Sequence, residues 1–74
     1  MTASTLNWNA IDRLEAAGFT FGDITGNWYH KASNTTIVCR EDGNAYYVYQ
    51  RNIRRYWGHT LHAVVADAVK LASN

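Results

Sequence analysis

Thr35-Thr36-Ile37-Val38-Cys39-Arg40-Glu41-Asp42-Gly43-Asn44-Ala45-Tyr46-Tyr47-Val48-Tyr49-Gln50-Arg51 is the stretch that decides the fold. Two runs rich in β-branched and aromatic residues flank Asp42-Gly43, a dipeptide suited to a tight hairpin because both turn positions need positive φ. A turn there predicts antiparallel strands over Thr35 to Arg40 and Ala45 to Arg51. Glu41 then faces Asn44, Arg40 faces Ala45, Cys39 faces Tyr46, Val38 faces Tyr47 and Ile37 faces Val48. Side chains alternate along a strand, so Ile37, Cys39, Tyr46 and Val48 share one face, read as core. Thr36, Val38, Arg40, Tyr47, Tyr49 and Arg51 share the other, which mixes aromatic and basic groups and is expected to meet solvent or a partner. A one-residue slip of the turn exchanges the two faces.

Upstream, Asn27 to Lys31 predicts a third strand, joined to Thr35 by a turn at Ser33-Asn34. Gly22, Asp23 and Gly26 mark a bend, and Phe19 and Phe21 are expected to anchor the core. Leu6, Trp8, Ile11, Leu14 and Ala17 recur at helical spacing and predict a helix from Trp8 to Ala17. Asn7 or Asn9 is the expected cap of that helix, and Gly18 stands where a left-handed terminating residue is wanted. Downstream, Arg54 to Gly58 leads to a second helix capped by Thr60. Its apolar stripe is Leu61, Val64, Val65, Ala68, Leu71 and Ala72. The expected fold is α+β: helix, three-stranded antiparallel meander, helix (αβββα), with both helices on one sheet face and the other face open.

At 74 residues the chain has room for one domain, 1–74. Domains this small bury about 60% of their unfolded surface, so self-association or a partner is a reasonable expectation. A hydrophobic fraction of 47%, with three Trp, five Tyr and two Phe, argues for a folded chain. Trp8 and Trp28 read as structural. Cys39 has no internal disulfide partner, and the first ten residues lack the pattern of a secretory signal, so the expected location is the cytoplasm. Apolar runs are too short for membrane insertion. The net charge is only +1, but Arg51, Arg54, Arg55, His59 and His62 lie between Asp42 and Asp67 with no acidic residue among them.

No metal site or cofactor is expected: His59 and His62 lie three apart without a further ligand motif, and Gly22 and Gly26 form no phosphate-binding signature. Catalysis is not expected either, because Cys39 falls on the predicted core face and Asp12 and Glu15 read as solvated helix charges. Arginine and aromatic side chains remain as the functional material. They suit nucleic acid, through phosphate contact and base stacking, and equally suit protein, as the residue types that dominate interface hot spots. The candidate partner-binding residues are Arg40, Tyr47, Tyr49, Arg51, Arg54, Arg55, Tyr56 and Trp57.

The helix exit Leu14-Glu15-Ala16-Ala17-Gly18-Phe19, the Asp42-Gly43 hairpin and the helix start Gly58-His59-Thr60-Leu61 give a layout that resembles the small accessory proteins encoded by phages and prophages, anti-CRISPR proteins among them. That resemblance extends to size and layout and carries no functional residue with it. It implies inhibition by occlusion, the small protein covering a nucleic-acid or partner site on a bacterial defence complex. The resulting expectation is a noncatalytic protein-binding module, a phage-derived inhibitor whose partner is a larger bacterial protein or nucleoprotein complex. A direct nucleic-acid-binding protein and a structural homodimer are the alternative readings.

Overall fold

A computed structural model describes residues 3–39 and 45–73. Helix α1 (Ala3–Ala16) is followed by strands β1 (Thr20–Phe21), β2 (Trp28–His30), β3 (Thr35–Cys39), β4 (Tyr46–Gln50) and β5 (Ile53–Gly58), then helix α2 (Leu61–Ser73). The strands form one antiparallel sheet in the order β1-β2-β3-β4-β5. The expected three-stranded meander is therefore corrected to five strands, with β1 and β5 added at the two edges. β1 is two residues long and β5 is almost wholly exposed, so neither carries the burial alternation that marks a strand in sequence. The expected central register is found, with Ile37 opposite Val48, Val38 opposite Tyr47 and Cys39 opposite Tyr46. Arg40 and the Asp42-Gly43 turn lie outside the described residues, as do the side chains of Leu6 and Trp8.

α1 begins before Asn7 and Asn9, so neither caps it. It ends as the sequence requires. Gly18 adopts φ +95°, the Phe19 N–H donates to the Leu14 carbonyl at 2.9 Å, and the Gly18 N–H donates to the Glu15 carbonyl at 3.0 Å. This crossed pair of bonds is a Schellman ending, and Leu14 and Phe19, the two residues its apolar contact joins, are both buried. At the start of α2, the Ala63 N–H donates to the Thr60 hydroxyl at 3.1 Å, satisfying one of the otherwise unpaired first-turn donors.

Both helices pack into one core. Ala10 and Leu14 of α1 and Leu61, Val64, Val65, Ala68 and Leu71 of α2 meet Trp28, Ile37 and Val48 from the sheet. Phe19 joins this core, but Phe21 is half exposed and packs at a tilt against Trp28 with ring centroids 5.0 Å apart. A polar chain braces the sheet against α2. The Gln50 side-chain amide donates to Thr35 Oγ1 at 3.2 Å and to the Leu71 carbonyl at 3.1 Å. Thr35 and Ser33 hydroxyls lie 2.7 Å apart, and Ser33 Oγ lies 2.7 Å from His30 Nδ1. The Ser33 N–H also donates to that nitrogen, at 3.3 Å. His30 Nδ1 is therefore an acceptor, and the hydroxyl hydrogens run from Thr35 through Ser33 toward it.

β4 and β5 are joined by the two-residue turn Arg51-Asn52, with φ +54° and +68°. Both positions are left-handed, the geometry of a type I′ hairpin, in which a long side chain such as arginine at the first position is disfavoured. The Arg51 N–H donates to the Asn34 carbonyl at 3.0 Å, tying this turn to the one between β2 and β3. Replacing Arg51→Asn and Asn52→Gly together is expected to stabilise the domain by about 1 kcal/mol, because the new dipeptide prefers the native turn. Urea denaturation checks this; unchanged or lower stability would show that the Arg51 side chain makes a compensating contribution.

Candidate interaction surface

Strand alternation and register bring exposed Trp57 together with the half-buried tyrosines Tyr29, Tyr47 and Tyr49. On the sheet face away from the helices, Thr20, Tyr29, Thr36, Tyr49 and Arg54 form one cross-strand row, and Val38, Tyr47 and Trp57 form another. The Arg54 guanidinium carbon stands 5.5 Å from the Tyr47 ring centroid. Tyr47 and Trp57 lie 6.5 Å apart, and Trp57 meets His59 edge-on at 5.2 Å. Trp57 stays 58% exposed at the centre of this line. Exposed cation–π contacts contribute about 0.5–1 kcal/mol, enough to bias side-chain orientation without burying the rings.

The charge distribution has the same direction. None of the described strands contains an Asp or Glu, whereas β5 contributes Arg54 and Arg55 and the preceding turn contributes Arg51. The described carboxylates lie elsewhere: Asp12 and Glu15 on α1, Asp23 between β1 and β2, and Asp67 on α2. Among the described residues, the sheet thus presents aromatic and cationic groups with no neighbouring acidic strand residue to neutralise them.

Of the residues expected from the sequence, Tyr47, Tyr49, Arg54 and Trp57 share this face. Tyr56 does not: it pairs with buried Val48 and so belongs to the helix side, at the sheet edge. Arg51 occupies the turn, and Arg55 is an extra residue in β5, because Val48 pairs with Tyr56 while Tyr49 pairs with Arg54. Arg40 lies outside the described residues. His59 was missed, although its position two residues beyond Trp57 carries the signal once β5 is read as a strand.

A concavity of about 560 Å³ opens between the helices and one end of the sheet, its lining including Ile11, Glu15, Trp28, Cys39, Tyr46 and Leu61. Burial, reinforced by the electrostatic influence of the neighbouring Cys39 side chain and a hydrogen bond with it, pushes the Tyr46 phenol above its ordinary range. Cys39 is half-buried there, and its N–H donates to Asn27 Oδ1 at 3.1 Å. Among the described residues, no three His, Cys, Asp or Glu side chains are grouped to share a metal ion, and no helix is long and apolar enough to cross a membrane. Comparison with protein-family models, curated protein sequences and solved structures finds no match for this chain.

Proposed function

We propose that the chain is a noncatalytic binding module that covers a site on a larger protein, using the open sheet face centred on Trp57. The supporting observation is the line of exposed Arg54, half-buried Tyr47 and exposed Trp57 and His59 on a sheet face bearing no carboxylate in its described strands. Tryptophan, tyrosine and arginine combine large contact area with directional polar groups, which is why a few of them dominate interface energetics. This combination favours occlusion of a partner's nucleic-acid or protein site in the bacterial cytoplasm, the mode of action implied by the resemblance in size to small phage-encoded accessory proteins.

Tagged protein incubated with nuclease-treated bacterial lysate is expected to retain a discrete protein partner. Tyr49→Ala, Arg54→Ala and Trp57→Ala are each expected to weaken that interaction about tenfold, near 1.4 kcal/mol, with circular dichroism unchanged. Full affinity in all three variants would remove this face from the interface. Retention that disappears on nuclease treatment and falls steeply with salt would instead establish direct nucleic-acid binding.

A further inference from the structure

We infer that the outer edge of β5 accepts an extended acidic segment of a protein partner as an additional antiparallel strand, its side chains alternating between apolar and carboxylate groups. This deepens the binding-module reading and rests on it, but it concerns the strand edge rather than the sheet face.

β5 is last in the sheet order, and among the described residues no strand flanks it on the outer side. An edge strand presents backbone N–H and C=O groups that an incoming strand can pair. On the helix side, Trp28, Ile37, Val48 and Tyr56 lie opposite one another across four strands. This row is buried as far as Val48, then breaks into solvent at Tyr56, which is 39% exposed; nearby Ile53 is 63% exposed. Apolar residues on an added strand would continue that side of the sheet. The intervening positions would meet Arg54 on the open face, where a carboxylate is the complementary group.

Charge and hydrogen bonding select among occupants. A second copy would crowd Arg54 and Arg55 of both chains into one short strand pair, an unfavourable meeting of like charges. Nucleic acid offers phosphate acceptors to the arginines, but its backbone has no N–H donors for the outward carbonyls. An acidic peptide satisfies both requirements, pairing the backbone while neutralising the arginines.

The test is nuclear magnetic resonance on the full chain, titrated with an end-blocked peptide of about seven residues alternating valine and glutamate. Shifts and slowed amide exchange are expected along Ile53–Gly58. A valine–lysine peptide, and the glutamate peptide with its pairing amides N-methylated, should each bind at least about tenfold more weakly. Arg54→Glu combined with Arg55→Glu should reverse the preference between glutamate and lysine peptides, with the variant's own spectrum establishing that it folds. Equal binding of the N-methylated peptide, tighter binding of oligothymidylate, or no peptide binding at millimolar concentration would overturn the inference. So would sedimentation showing β5-dependent dimers in place of peptide binding. If the edge fails while Trp57→Ala still weakens partner retention, the sheet-face reading survives alone; if the peptide binds but Tyr49→Ala, Arg54→Ala and Trp57→Ala all retain the partner fully, the face reading fails alone.

Discussion

Leu14→Ala is expected to destabilise the domain by about 3–5 kcal/mol, the upper part of the usual range for truncating a buried leucine. Leu14 is 0% exposed and sits at the end of α1, where its carbonyl accepts the Phe19 N–H and its side chain belongs to the same core as Phe19. Truncation would leave a cavity at the point where the helix hands the chain to the sheet. The hydrogen-bonded backbone of the Schellman ending limits how far Phe19 can move to fill it. A chain of this length has about 4–11 kcal/mol of total stability, so the substitution should remove from about a quarter to all of it. Ile11→Ala, one turn earlier and only partly buried, should cost about 1–2 kcal/mol. Urea denaturation of both variants separates the cases; a loss below about 1 kcal/mol for Leu14→Ala would mean that the core repacks freely around this helix end.

Gly58→Val should cost about 2–3 kcal/mol through overpacking. Gly58 pairs with Tyr46 at the end of β5, and a Cβ built there would stand 3.1 Å from both Ala63 Cβ and Val64 Cγ1. Its backbone is not left-handed, so the constraint is the close approach of α2. Moving the helix away would disturb the Thr60 cap and expose Val64. Gly58→Ala, requiring a few tenths of an ångström of adjustment at two methyl groups, should cost about 1 kcal/mol. Thermal and urea unfolding measure the series. Indifference to valine would show that the first turn of α2 can shift without loss of packing.

The parts of this molecule legible in its sequence are those where local chemistry and burial agree. Gly18 and Thr60 mark the ends of helices through backbone geometry and a donor needing an acceptor. The β3–β4 register followed from turn chemistry even though the turn lies outside the described residues. β5 was hidden because exposed Ile53, Arg54, Arg55, Tyr56 and Trp57 show no burial alternation, and because Arg51-Asn52 lacks the residues usually found in its turn type. That omission also displaced Tyr56: counting straight along the chain cannot anticipate the extra residue at Arg55, which changes the parity of the strand. The aromatic and basic composition of the surface was visible, while its division between two sheet faces required the bulge.

The sheet order follows the chain order without a single crossover, so every strand pairs only with its neighbours in sequence. Each pairing closes a short loop, and the largest separation bridged by the fold is the packing of α1 against α2. Such economy in loop-closure entropy favours rapid folding, since hairpins zip in microseconds once their turns form. It also concentrates kinetic vulnerability in one place. The hairpin array can form from local contacts, whereas closure of the first helix over the last must await nearly the whole chain, making their junction a natural control point for folding during synthesis.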